Sequence, residues 1–202
     1  MKKNSVLALV LVALIGVLAL APFVWDQVKP TVFVVSAPGG QQQPKPVAFA
    51  PPAPDGQEPS SRSEAFTLPD LNGQEQSLGQ YRDKWVVVAF WATWCAPCVE
   101  EIPDLKAFHS RHQAKDAVVV GVNMESIELE KLRLFVNDHG INYPVWHMEP
   151  VLETPLGKVF GLPTTYLVNR TGEVVAREMG AITAEEIEAF IQRYESREIE
   201  QK

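Results

Sequence analysis

Two apolar, β-branched runs, Trp85-Val86-Val87-Val88-Ala89-Phe90 and Ala117-Val118-Val119-Val120-Gly121-Val122, constrain the fold of this chain more than any other feature. Neither alternates polar with apolar residues, so each predicts a strand buried on both faces. The segment between them carries Val99, Ile102, Leu105 and Phe108 at helical spacing, interrupted by Pro103. Strand, helix and second buried strand make a βαβ unit, hence a parallel pair with a right-handed crossover. A second helix is predicted from about Glu128 to His139, with Leu132, Phe135, Val136 and His139 on one side and Gly140 as its stop. Thr164 to Val168 and Glu173 to Arg177 predict two further strands joined by the turn signal Asn169-Arg170-Thr171-Gly172. The last helix opens at Thr183 with Glu186 three residues on, a capping box, and carries Ile187, Phe190, Ile191 and Tyr194 on one face. The order is βαβ, an extra helix, then ββα: an α/β domain with a mixed sheet, expected over residues 64–202.

Ahead of that domain the composition changes. From Asp26 to Ser63, Pro, Gln, Ala, Ser and Gly dominate, a mixture that cannot bury enough apolar surface to offset its chain entropy. Residues 26–63 are therefore expected to form a disordered tether. Before it, Lys2 and Lys3 precede an almost unbroken apolar run from Val6 to Trp25. About 20 helical residues at 1.5 Å each span about 30 Å, the thickness of a bilayer's hydrocarbon core. Residues 1–25 are expected to be a single transmembrane anchor, its lysines on the cytoplasmic side. A cleaved signal peptide is the rival, because Ala19-Leu20-Ala21 has the form of a cleavage site; Pro22 after the cut and the length of the run speak against it. Either reading delivers the folded domain to the periplasmic or extracytoplasmic side. The net charge is −7, and from Glu64 onward 13 basic residues face 22 acidic ones. That balance excludes nucleic acid as a partner, since phosphate contacts require clustered Lys and Arg.

The only two cysteines lie in Trp94-Cys95-Ala96-Pro97-Cys98, directly after the first buried strand and at the start of a helix. Two intervening residues put both thiols in the first helical turn, with Cys95 at its exposed start and Cys98 one turn in. Backbone N–H groups and the positive end of the helix dipole stabilise a thiolate at Cys95. A thiolate is the nucleophile of disulfide exchange, and a second thiol nearby resolves the mixed disulfide. Pro97 suits a first turn, where its missing N–H costs little. Two other readings of the pair stand beside redox chemistry. A structural disulfide suits an exported protein, though closing so short a loop removes little entropy. A zinc site needs four ligands, and there is no second Cys-x-x-Cys; His109, His112, His139 and His147 are scattered, the first two reading as solvated.

The run Val87 to Cys98, followed by Glu100-Glu101-Ile102-Pro103 and later by Gly161-Leu162-Pro163-Thr164-Thr165-Tyr166-Leu167-Val168, resembles the TlpA/ResA/DsbE group of membrane-anchored, thioredoxin-like proteins. The resemblance covers Glu64 to about Tyr194 and leaves out the tether. It implies a thioredoxin fold, a mixed central sheet flanked by helices. Glu64 to Leu68 with Asn72-Gly73 resembles the group's added N-terminal β-hairpin, and Asn123 to Val151 its inserted helix. Pro163 matches the group's cis-proline, which leaves the Leu162 backbone free to pair with a substrate strand. Glu101 matches an active-site glutamate that tunes thiol ionisation or relays a proton. Read without the resemblance, an acid in the first two turns of a helix is a dipole partner. Pro103 matches a kink in the active-site helix. Trp94, Ala96, Pro97, Leu162 and Thr164 match the rim that meets the client. Where cytosolic thioredoxins carry a buried Asp, this chain has Ala89, which makes Glu101 or water the proton acceptor for Cys98.

The resemblance thus implies a protein-disulfide reductase with Cys95 as nucleophile and Cys98 as resolving thiol. No metal or other cofactor is expected, the redox centre being the Cys95–Cys98 pair itself. The implied clients are exported proteins with disulfides, such as apocytochrome c or a copper-site protein. The implied electron donor is a membrane thiol-disulfide transporter of the DsbD/CcdA type, close to the inner membrane that holds the N-terminal helix. Two alternatives remain: a thiol peroxidase of the peroxiredoxin type, whose peroxidatic Cys lacks the Cys-x-x-Cys partner, and a copper-binding assembly factor of the Sco type, which uses Cys-x-x-x-Cys.

Overall fold

The computed structural model of the chain describes Ser63 and residues 65–200. The expected anchor and, Ser63 apart, the expected tether lie outside the described residues. Among the described residues no helix is long and apolar enough to cross a membrane.

A hairpin of β1 (Thr67–Pro69) and β2 (Glu75–Ser77) opens the domain. Its turn is built by Asp70, whose Oδ1 accepts the backbone N–H of Asn72 at 2.8 Å and of Gln74 at 2.9 Å. A five-stranded sheet follows in the order β5-β4-β3-β8-β9. Its members are β3 (Trp85–Trp91), β4 (Ala117–Met124), β5 (Val145–Met148), β8 (Thr164–Val168) and β9 (Val174–Met179). The first three are parallel and the last two antiparallel to their neighbours. A two-residue ladder, β6 (Glu153–Thr154) with β7 (Gly157–Lys158), lies in the connection to β8.

Among the described residues a 3-10 turn over Leu78–Tyr81 and three α-helices complete the domain: α1 (Ala96–His112), α2 (Leu129–Asp138) and α3 (Ala184–Glu200). The crossovers β3-α1-β4 and β4-α2-β5 step across the sheet in one direction, and two right-handed crossovers of that kind place both helices on one face. The packing agrees. Val87, Ala89 and Trp91 of β3 share a core with Leu105 and Phe108 of α1, Leu132 of α2 and Ile187 and Ile191 of α3. Val86, Val88 and Phe90 point the other way, toward Phe66, Leu78, Trp146 and Leu156. The central strand is buried at every position, as its unbroken apolar run predicts.

The structure adds a parallel strand, β5, that the sequence reading omits. Val145 to Met148 is only four residues long and its second half is half-exposed, so it has neither the length nor the continuous burial that mark β3 and β4. Its partner is Gly121 to Met124. Gly121 has a packing reason: a Cβ there would come within 2.9 Å of the Tyr143 ring and 3.0 Å of Trp91 Nε1. At the end of α2, Gly140 takes φ +56 and its N–H donates to Asn137 O at 3.0 Å, the expected helix stop. The capping box of α3 is formed, with Glu186 N–H donating to Thr183 Oγ1 at 3.3 Å and Thr183 N–H to Glu186 Oε2 at 2.8 Å.

Candidate active site

Strand β3 ends at Trp91, a short turn follows, and Cys95 is the N-cap of α1 with an extended backbone. The turn is held by Cys95 N–H donating to Ala92 O at 3.2 Å and by Val99 N–H donating to Cys95 O at 3.1 Å. Cys95 and Cys98 are joined in a disulfide, their Cα atoms 5.3 Å apart. Both belong to the core cluster on the helical face of the sheet. The expectation of an exposed Cys95 is corrected: Cys95 is 5% exposed and Cys98 1%. The surface of the motif is made by its neighbours, with Trp94 71% exposed and Ala96 and Pro97 exposed beside it. Pro103 sits inside an otherwise continuous α1.

The segment before β8 meets this site from the other side. The Leu162–Pro163 peptide is cis. Leu162 packs against the cluster that contains both cysteines, and with Trp94 it lines a cleft of about 360 Å³. Val151 and Phe160, both exposed, extend the apolar wall of that cleft. Thr164 does not belong to the rim. It is fully buried and its Oγ1 donates to Gly161 O at 2.6 Å, so its hydroxyl shapes the loop and is not available to a client.

Glu101, one turn after Cys98, is 2% exposed. Its Oε2 accepts the Ile182 N–H at 3.2 Å, while Oε1 is buried with no hydrogen-bond partner. Burial pushes its carboxyl up to about 8; the Ile182 N–H opposes that rise and the charge of Asp104 adds to it. A carboxyl that titrates close to neutral pH exchanges protons readily with a thiol. Tyr143 is also raised by its burial, and the charge of Glu101 adds to the effect.

The sequence reading missed a second buried carboxyl beside the site. Glu125, the residue after β4, accepts hydrogen bonds from Thr93 N–H at 2.9 Å, Thr93 Oγ1 at 3.1 Å and Asn123 Nδ2 at 2.8 Å. It fixes the turn before Trp94 and lines the same cleft. An acid directly after a buried strand, two residues past the polar Asn123, was the available signal. His109 is also corrected: it is buried, not solvated, and its Nδ1 accepts the Val119 N–H at 3.1 Å. Among the described residues no group of three or more His, Cys, Asp or Glu side chains is placed to hold a metal ion.

Residues 60–177 match the AhpC/TSA family. The thiol-disulfide oxidoreductase ResA of Geobacillus kaustophilus is 32% identical over 134 residues, which are 65% of this chain and 75% of that protein. ResA of Bacillus anthracis is 27% identical over 128 residues, 63% of this chain and 73% of that protein. Among solved structures, a DsbF homologue from Corynebacterium diphtheriae has a TM-score of 0.60 at 27% identity, covering 78% of this chain and 96% of its own. A putative thiol:disulfide interchange protein DsbE from Chlorobium tepidum has a TM-score of 0.52 at 27% identity, covering 65% and 91%. The fold of the described residues is therefore thioredoxin-like, a mixed central sheet with helices.

Proposed function

The chain belongs to the AhpC/TSA family and is a thiol-disulfide oxidoreductase; from that premise we propose that it is exported and reduces disulfides of client proteins through Cys95 and Cys98. The observation that carries the reading is the Cys95–Cys98 disulfide capping α1 beside the Leu162–Pro163 segment, with an apolar cleft opening next to it. In the reduced form, Cys95 as thiolate attacks a client disulfide; one client sulfur joins Cys95 and the other leaves as a thiolate that takes up a proton. Cys98 gives its proton to the ionised form of Glu101 and attacks the Cys95 sulfur; the second client sulfur leaves as a thiolate, which takes that proton back from Glu101. The client gains two electrons and two protons, and the chain returns to the disulfide form.

Apocytochrome c before haem attachment and copper-site proteins are the proposed client classes. A membrane thiol-disulfide transporter of the DsbD/CcdA type is the proposed electron donor. The apolar run from Val6 to Trp25 would keep the domain at the inner membrane, on its periplasmic or extracytoplasmic side, at the end of the tether of residues 26–63. No metal or organic cofactor enters this scheme. A peroxidase of the family's other kind needs one reactive thiol without a partner three residues away, and here the two sulfurs are bonded to each other.

The test uses Cys98→Ser, which leaves Cys95 able to attack but nothing to resolve. Mixed with a peptide carrying an apocytochrome Cys-x-x-Cys disulfide, it is expected to accumulate a covalent adduct that added thiol releases. Cys95→Ser should form none and lose turnover. Full turnover by Cys95→Ser, or hydrogen peroxide consumed in preference to the peptide disulfide, would overturn the reading.

A further inference from the structure

Glu101 does not stand alone on α1. Asp104, one turn further along and half-buried, accepts the Ala184 N–H on its Oδ1 at 3.3 Å. Two acids three residues apart on the active-site helix therefore hold backbone donors two residues apart, Ile182 and Ala184, where the chain turns from β9 into α3. The capping box between Thr183 and Glu186 satisfies other donors of that helix end, so the Ala184 N–H is left for Asp104. The consequence for Glu101 is an asymmetric carboxyl, Oε2 tied to a donor whose position is fixed and Oε1 buried without a partner.

We propose that Asp104 is a positioning residue for disulfide exchange: by pinning the start of α3 it keeps the Ile182 N–H on Glu101 Oε2 and leaves Oε1 as the oxygen that carries the proton. The inference rests on the proposed role of Glu101 as proton partner of Cys98. A loosened α3 start lets the carboxyl turn, and either oxygen then meets the N–H. Asp104 also acts through its charge, which adds to the rise of the Glu101 carboxyl. The other groups facing Glu101 are Tyr143, from the segment before β5, and the uncharged Ile182 N–H.

The experiment compares Asp104→Ala, Asp104→Asn and Glu101→Gln in the full-length chain. Two quantities are read: the exchange rate of the reduced protein with a small aromatic disulfide, and the pH midpoint of the Glu101 carboxyl. That midpoint is followed in the disulfide form by the infrared band that Glu101→Gln removes. Asp104→Ala is expected to slow exchange about tenfold, a part of the 10²–10⁴ that a positioned proton carrier supplies. Asp104→Asn keeps an acceptor for the Ala184 N–H, so exchange should return to within about twofold of the parent. Its Glu101 midpoint should fall on the order of half a pH unit, because a negative charge one turn away is gone. Asp104→Ala also loosens the Ile182 N–H that lowers the carboxyl, so its midpoint should lie above that of Asp104→Asn, whereas a merely structural Asp104 would give the two variants the same midpoint. Equal midpoints in the two variants overturn the proposal, as does Asp104→Asn exchanging as slowly as Asp104→Ala; where Asp104→Ala fails to fold, an Asp104→Asn rate well below that of the parent overturns it. Glu101→Gln exchanging at the parent rate would instead overturn the role of Glu101, a distinct failure.

Discussion

Replacing Glu101 by Gln should make the disulfide form of this protein more stable, by an amount that grows with pH. In the folded state the carboxyl is raised from 4.5 to about 8, chiefly by burial at 2% exposure. Unfolding exposes it to water, where it ionises at its ordinary value. Between those two values the folded state holds a proton that the unfolded chain releases, so stability falls as pH rises from about 4.5 to about 8 and is level above. At 1.36 kcal/mol per unit, the penalty is about 3 kcal/mol at pH 7 and about 5 kcal/mol above pH 9. Gln is neutral at every pH and keeps an oxygen for the Ile182 N–H, so it avoids the penalty. The assay is urea unfolding of the disulfide-intact chain at pH 4.5, 7 and 9, parent and Glu101→Gln in parallel. The two should agree within about 1 kcal/mol at the lowest pH and diverge by several at the highest. A difference that stays constant across the three pH values would refute the burial argument.

Two further outcomes follow from other residues. His109 is held below its ordinary value by burial, so it resists the proton that the unfolded chain takes up near pH 6.5. Its contribution to stability is full above about pH 6.5 and is lost as pH falls below it; His109→Leu should remove that acid slope and cost about 1–3 kcal/mol at pH 7 by orphaning the Val119 N–H, both read by urea unfolding at pH 7 and pH 5. Trp94 is 71% exposed at the mouth of the cleft, so Trp94→Ala should change stability by less than about 0.5 kcal/mol yet slow reduction of a protein client about tenfold, with reduction of a small disulfide unaltered. Equal effects on large and small substrates would count against the cleft as a client contact.

Most of the architecture was legible because its signals are local. The unbroken apolar runs of β3 and β4, the Gly140 stop and the Thr183–Glu186 capping box each depend on residues close together in sequence. Strand β5 was not legible, because four residues ending in a half-exposed His147 and Met148 acquire strand identity only from pairing with β4. The site divides in the same way. The Cys-x-x-Cys motif and its helix are contiguous, whereas the burial of Cys95 and the withdrawal of Thr164 from the rim depend on packing between elements. The environment of Glu101 is set by Ile182, 81 positions away, and Glu125 earns its place only through the Thr93 turn. No pattern along the chain encodes those contacts.

The equilibrium reduction potential of the Cys95–Cys98 pair tests the central claim most directly. The full-length chain would be titrated against defined thiol buffers and followed by alkylation or Trp94 fluorescence. A reductase of client disulfides requires a value below about −220 mV, which the account predicts. A value near −120 mV would make the pair an inserter of disulfides and contradict it.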